Sequence, residues 1–183
     1  MPNDICTLVV TYNREYELSQ LLLNLNETVL AKNVLIIDNN SNYDVVNSVA
    51  RLKTDNLEIE IITLDINTGG AGGFSRGMSE CVKKGYKYVW AMDDDGFPSI
   101  NCLSNLMHSM SKNNLSVIGP LVMDIKKTDT LSFTLNIKNT KYKLKSDLPN
   151  DEIYPDLLNP FNGTLISVDV IKKFGTPIKD FFI

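Results

Sequence analysis

The feature that most constrains this chain is an alternation. Four short, β-rich apolar runs are separated by segments whose apolar residues recur at helical spacing. The runs are ICTLVV (5–10), NVLIID (33–38), LEIEIITL (57–64) and YKYVWAM (86–92). Leu18, Leu21, Leu22 and Leu25 follow the first at a spacing of three and four. Val45, Val46, Val49 and Leu52 follow the second, behind a predicted cap at Ser41 or Asn42. Phe74, Met78, Cys81 and Val82 follow the third, with Gly85 as the predicted stop. A helix capped by Ser99 and carrying Leu103, Leu106, Met107 and Met110 follows the fourth. Apolar strands that alternate with helices are joined by right-handed crossovers and form a parallel sheet covered on both faces. The pattern therefore predicts an α/β fold with a mostly parallel central sheet.

Composition narrows the function classes. With 183 residues, 43% apolar and 22% charged, the chain is long enough for one domain with a sizeable core. Its net charge of −4 provides no basic footprint for nucleic acid. Cys6, Cys81 and Cys102 are odd in number, widely spaced and set in apolar runs, so they read as reduced core thiols. His108 is the only histidine, which leaves little material for a histidine metal cluster or Ser–His catalysis. No signal peptide is expected before the first strand, and no apolar run approaches the ~20 residues of a membrane span. The expected compartment is the cytoplasm.

In a parallel sheet, ligands sit beyond the carboxyl ends of the strands. Those ends are polar here: Thr11-Tyr12-Asn13-Arg14, Asp38-Asn39-Asn40-Ser41, Asn67 with the glycines after it, and Asp93-Asp94-Asp95. Three adjacent carboxylates repel one another. Either water solvates them as an acidic turn, or a cation offsets the repulsion. In an extended chain Asp93 and Asp95 point the same way and Asp94 the other. Such a pair suits Mg²⁺ or Mn²⁺, which takes one or two carboxylates together with phosphate oxygens and water. In NTGGAGGFSRG, Asn67, Gly69 and Gly70 open a helix whose N–H groups favour an anion, and Arg76 is a candidate phosphate partner. Two other readings stay open: a flexible loop with a solvated arginine, or an imperfect dinucleotide fingerprint, Gly70-x-Gly72-x-x-Ser75, with Asp93 as its distal acid. Asp38 is a candidate acceptor for a base imide or ribose hydroxyl, or a turn cap. Tyr12 is a candidate base-stacking residue, or part of the core edge.

VVTYNR, IIDNNS, NTGGAGGFSRG and WAMDDDGFP stand in the order and approximate spacing of the inverting, GT-A-fold family 2 glycosyltransferases. The chain resembles that family over about residues 5–183, most closely its galactofuranosyl- and rhamnosyltransferase-like branch, and least recognisably between 124 and 160. The resemblance implies a GT-A (Rossmann-like) α/β/α sandwich and a UDP- or dTDP-sugar donor. It also implies Mg²⁺ or Mn²⁺ at a D-x-D motif and a glycan or lipid-linked acceptor in bacterial cell-surface polysaccharide synthesis. That work would be done in the cytoplasm or at the inner face of the membrane. By that resemblance Asp93 and Asp95 hold the metal. Thr11, Tyr12, Arg14, Asp38, Asn67, Gly69, Gly70, Arg76, Asp93 and Asp94 bind the nucleotide. Thr11, Tyr12 and Asp38 would frame the nucleoside, and Arg76 would face the diphosphate.

The whole of 1–183 reads as one domain, with a nucleotide-binding half at 1–115 and the start of an acceptor-side half at 116–183. LSVIGPLVMD reads as a further strand with a turn. Weak strand signals mark 131–137 and 141–144, and FNGTLISVDVIKKFG reads as a strand and a short helix ending at Gly175. FGTPIKDFFI resembles the segment that in the family runs into a tryptophan and an acidic cluster carrying the general base. No carboxylate in 96–183 matches that cluster, so the catalytic base is unassigned and the domain is expected to be C-terminally incomplete and without a base of its own. Its Phe181-Phe182-Ile183 end is expected to promote self-association. The alternative functions are a non-catalytic nucleotide-sugar-binding fragment and a dinucleotide- or nucleotidyl-using α/β enzyme.

Overall fold

The computed structural model describes residues 2–180 apart from Glu152 and Asp156. The four apolar runs form β1 (Ile5–Thr11), β2 (Asn33–Asp38), β3 (Glu58–Thr63) and β4 (Tyr88–Asp93). The helices between and after them are α1 (Glu15–Glu27), α2 (Val45–Ala50), α3 (Gly69–Lys83) and α4 (Cys102–Lys112). Then come β5 (Val117–Ile118), β6 (Thr130–Ile137), β7 (Thr140–Leu144), β8 (Asn162–Ser167) and α5 (Val168–Phe174).

The central sheet runs β3-β2-β1-β4-β8-β5. β1, β2, β3 and β4 are parallel, and β8 is antiparallel to both β4 and β5. The chain first builds outward from β1 to β2 and β3, and α3 then carries it back to lay β4 on the other side of β1. The order reverses between β1 and β4, which makes their carboxyl ends the switch point where open α/β sheets take ligands.

Strand alternation divides the core into two. Ile5 and Val9 face the leucines of α1, Val45 and Val49 of α2, and Leu103, Leu106 and Met110 of α4. Cys6, Leu8 and Val10 face Phe74, Met78 and Cys81 of α3 and Val168 and Ile171 of α5. Two helical layers thus enclose the sheet, as the alternation predicts. β1 and β2 are buried throughout, while the edge strand β3 alternates exposed Glu58 and Glu60 with half-buried Ile59 and Ile61. Lys32 pairs with Glu58 and Lys84 with Glu60, and charges of this kind blunt an open edge.

Several local expectations need correction. Asp44 caps α2, its carboxylate accepting from Asn47 N at 2.9 Å. Ser41 and Asn42 do not cap it, because the helix begins only at Val45 and both lie before the cap position, Ser41 Oγ accepting from Asn13 N instead. α4 starts at Cys102, and Ser99 precedes it in a turn closed by its carbonyl. The strand expected from LSVIGPLVMD is two residues long, since Gly119-Pro120 follows at once and proline has no N–H to continue the ladder. The weak signals at 131–137 and 141–144 do form the β6–β7 hairpin. Its turn residues Lys138 and Asn139 have φ of 49° and 65°, the type I′ geometry that matches strand twist.

Among the described residues no helix is long and apolar enough to cross a membrane. Phe181, Phe182 and Ile183, and with them the expectation of self-association, lie outside the described residues.

Candidate functional site

The site forms where β1 and β4 end side by side, with Val10 opposite Asp93. β4 stops at Asp93, and the chain turns, with Gly96 N donating to the Asp93 carbonyl at 3.3 Å. Alternation therefore ends at Asp93, and the expectation that Asp94 faces away from Asp95 does not hold. Asp94 is turned inward and buried. Thr11 Oγ1 donates to Asp94 Oδ2 at 2.8 Å, and Arg14 Nη1 donates to Asp94 Oδ1 at 3.3 Å. The same Nη1 donates to Asp95 Oδ2 at 2.7 Å.

The three carboxylates sit in different surroundings. Burial pushes Asp93 up to about 6, and repulsion from Asp95 and Asp94 adds to it while Arg14 opposes. No hydrogen bond to its side chain forms among the described residues. Burial also raises Asp94, against the Thr11 hydrogen bond and the Arg14 charge. Asp95 is exposed and paired with Arg14, whose own pKa rises chiefly because of Asp94. The cation that the fold brings to the acidic turn is thus Arg14. Arg76 lies further along α3, where its Nε pairs with Glu80 at 3.1 Å.

The loops after β1 and β2 are stitched together. Asn13 N donates to Ser41 Oγ at 3.0 Å, and Asn42 N to Asn13 Oδ1 at 2.7 Å. Asp38, buried at the end of β2, accepts from Ser41 N at 2.9 Å through Oδ1, the turn-capping role. Asn39 was not singled out by its residue type, yet it holds the next loop. Its Oδ1 accepts from Thr68 N and Thr68 Oγ1 at 2.9 and 3.1 Å, and its Nδ2 donates to the Gly69 carbonyl at 3.0 Å. Asn67 Oδ1 accepts from Gly69 N at 2.9 Å. The start of α3 is thereby pinned to the sheet edge. The sequence signal was present: a buried strand that ends in consecutive polar residues places one of them inside. Tyr43 was also missed. Its hydroxyl is buried beside Thr11 without a partner in hydrogen-bond geometry, and burial raises its pKa, with Thr11 opposing and Asp38, Glu15 and Asp94 adding to the rise. Tyr12 is exposed at the same edge.

The glycine-rich stretch is mostly helix. Gly69 and Gly70 open α3, and Gly69 has φ of 68°. Gly73 and Gly77 are inside it and face β1. A Cβ on Gly73 would lie 2.6 Å from Val10 Cγ1, and one on Gly77 would overlap Leu8 Cδ1. These two glycines let helix and sheet approach, and they do not cradle a ligand. Gly70-x-Gly72-x-x-Ser75 lies wholly within the helix, with Ser75 buried and its hydroxyl bonded to Thr176 at 2.7 Å. It therefore makes no strand-to-helix turn of the dinucleotide type.

Among the described residues no three His, Cys, Asp or Glu side chains are placed to hold a metal ion by themselves. The donors present fit a cation that brings most of its own ligands. Asp93 offers a carboxylate with unmet pairing, Asp95 an accessible one, and hard divalent ions complete their shell with phosphate and water.

This three-layer sheet with its polar switch point is a GT-A glycosyltransferase fold. The mannosyltransferase from Pyrobaculum calidifontis, solved with GDP-Man and Mn²⁺, superposes with a TM-score of 0.67 at 13% identity, over 97% of this chain and 48% of that one. The chain belongs to glycosyl transferase family 2, whose family model matches residues 6–173. It is 30% identical over 190 residues to the galactofuranosyltransferase GlfT1 of Mycobacterium tuberculosis, covering 100% of this chain and 62% of the relative. It is 24% identical over 185 residues to the dTDP-rhamnosyl transferase RfbF of Shigella flexneri, covering 100% and 60%. The chain thus spans about three fifths of the length of these relatives.

Proposed function

We propose that this domain binds a nucleotide-sugar donor, a UDP- or dTDP-sugar, with Mg²⁺ or Mn²⁺, for sugar transfer to a glycan or lipid-linked acceptor in bacterial cell-surface polysaccharide synthesis. We place that work on the cytoplasmic side of the membrane. The observation that carries the reading is the acidic turn at the β1/β4 switch point, anchored by Thr11, in a chain of glycosyl transferase family 2. The relatives named as galactofuranosyl and rhamnosyl transferases support the donor class.

Each residue then has a task. Tyr12 stacks on the base, and Thr11 and Asp38 frame the nucleoside, Asp38 keeping one oxygen on Ser41 N. Asn67, Gly69 and Gly70 bring the start of α3 to the diphosphate, which meets the N–H groups beyond Gly69, whose own N–H is on Asn67 Oδ1, because a helix N-terminus favours anions. Arg76 reaches the diphosphate by exchanging Glu80 for phosphate. Asp93 and Asp95 hold the metal, while Asp94, fixed by Thr11, sets the turn that presents them. When bound, a divalent ion supplies Lewis-acid stabilisation of the departing nucleoside diphosphate. These residues bind and orient the donor; deprotonation of the acceptor hydroxyl falls to none of them. Residues 1–115 carry the donor side, and 116–183 begin the acceptor side.

The test is a thermal-shift and calorimetric screen of the 183-residue chain against UDP, dTDP, GDP and NAD, with and without Mn²⁺. UDP or dTDP is expected to bind with Mn²⁺ and much less without it. Preference for NAD, or binding indifferent to Mn²⁺, would remove the reading.

A further inference from the structure

Arg14 makes two unequal contacts through one nitrogen. Asp94 is nearly sealed from solvent, its side chain 5% exposed, and both its oxygens are used, one by Thr11 and one by Arg14. Asp95 is 54% exposed, and Arg14 Nη1 is its hydrogen-bond partner among the described residues. The Arg14 backbone is fixed, since its carbonyl accepts Leu18 N at the first turn of α1. Its side chain, half exposed, crosses from the β1 side to the β4 turn. A buried carboxylate stripped of its cation is costly, whereas an exposed ion pair is weak and exchangeable. The two contacts therefore differ in what it takes to break them. Beside them Asp93 is left without a partner, so the turn keeps a demand for positive charge that one guanidinium does not meet.

We infer that Arg14 is a built-in counter-cation for the acidic turn: it holds Asp95 in the donor-free protein, yields Asp95 to an incoming divalent cation, and stays on Asp94. This rests on the metal reading above and adds to it a residue that sets metal affinity without touching the metal. Arg14 is a positioning residue, acting through Asp95. Bare metal then competes with Arg14 for Asp95, and a metal–diphosphate complex, bringing additional contacts, wins where bare metal binds weakly. The design keeps the acidic turn ordered between turnovers and ties its opening to arrival of the donor.

The experiment measures Mn²⁺ binding to the whole chain without nucleotide, by the electron paramagnetic resonance signal of free Mn²⁺. Arg14→Gln is expected to tighten Mn²⁺ about two- to fivefold, the factor released by giving up a surface ion pair. The gain is expected to vanish in an Asp95→Asn background, where residual binding rests on Asp93. A simple loss of repulsion between Arg14 and the metal would persist there. Unchanged or weaker binding in Arg14→Gln, or a gain of equal size in both backgrounds, overturns the inference. Should Arg14→Gln fold poorly because Asp94 is stranded, Arg14→Gln with Asp94→Asn, compared with Asp94→Asn alone, carries the same expectation. Failure of the underlying reading looks different. If Asp95→Asn binds Mn²⁺ with UDP as well as the parent does, the metal site is wrong and this inference falls with it. If Asp95→Asn weakens that binding but Arg14→Gln changes nothing, only the role of Arg14 is wrong.

Discussion

Thr11 and Asp94 are joined across the switch point by a 2.8 Å hydrogen bond, from the last residue of β1 to the first residue after β4. The bond spans the boundary at which the order of the parallel strands reverses, and it fixes a buried carboxylate there. Thr11→Val keeps the shape and removes the donor. It should cost about 1.5–3 kcal/mol, the range for a hydrogen bond to a charged group. Asp94, already raised by burial, should titrate higher still, because a hydrogen bond that favours its ionised form is gone. Urea denaturation and carboxyl NMR titration of the two proteins would check both parts. Equal stability would mean that Arg14 alone carries Asp94.

Asp93 gives the chain a pH signature. Its folded pKa of about 6 lies above the ordinary carboxylate value, so between pH ~4 and ~6 the folded state binds more protons than the unfolded one. A raised acid of this kind adds stability at low pH, and that contribution is lost as pH rises through 6. Without metal, this contribution to stability should fall from pH 4 to 7, Asp94 adding to the fall, and Asp93→Asn should make the net slope more positive, since Asp44 and Glu80, held below the ordinary range, act in the opposite sense. With metal and donor the sign reverses, because the ion requires the ionised carboxylate and binds more weakly below pH 6. Denaturant melts across that range, with and without Mn²⁺ and UDP, separate the two effects. A slope identical in Asp93→Asn would exclude Asp93 as its source.

The first half of the fold was legible because its strands are buried on both faces and its helices repeat leucine and valine at three and four. Order faded where burial did. LSVIGPLVMD reads as a strand with a turn, but hydrophobicity does not show that the strand before Gly119-Pro120 is only two residues long. The site was legible as an edge, since each strand end is polar, and illegible in its wiring. That Asp94 points inward follows from a turn beginning one residue earlier than an extended chain assumes. That Asn39 clamps Thr68 and Gly69 depends on a contact between residues about thirty apart, which no local pattern encodes. The packing glycines are hidden for a related reason: sequence shows freedom of the backbone, and only packing shows that Gly73 and Gly77 are small because β1 is close.

Arg76 separates support of the fold from contact with phosphate. Arg76 itself is half exposed, and its partner Glu80 keeps a second cation in Lys83 at 2.9 Å, so Arg76→Ala should change stability by less than about 0.5 kcal/mol. If Arg76 meets the diphosphate, the same variant should weaken UDP binding by about 1.5–3 kcal/mol and leave uridine unaffected. Calorimetric titration with both ligands distinguishes these outcomes. Equal losses for uridine and UDP would show that Arg76 acts on the fold alone.

Gly77 tests the packing account of the glycine-rich helix. Alanine there gains roughly 1 kcal/mol of helix propensity over glycine. Its Cβ, however, would overlap Leu8 Cδ1 and lie 3.1 Å from Ile37 Cγ1, two fully buried side chains of β1 and β2. Neither can move away without opening the core, and overpacking of this kind costs about 1–3 kcal/mol. The net effect of Gly77→Ala should therefore be a loss of stability of up to about 2 kcal/mol, with donor affinity unchanged in the protein that remains folded. Gly85 is the control, because it has φ of 80° and open space around its missing Cβ. Gly85→Ala should be destabilised by backbone strain alone, with no core displaced. Comparing the two by denaturant melts and by NMR of the Leu8 methyl groups tells strain from crowding. Leu8 shifts in Gly77→Ala, and none in Gly85→Ala, would establish that Gly77, and by the same packing Gly73, exist to bring α3 onto the sheet. Unperturbed Leu8 methyls in Gly77→Ala would return those glycines to the ligand.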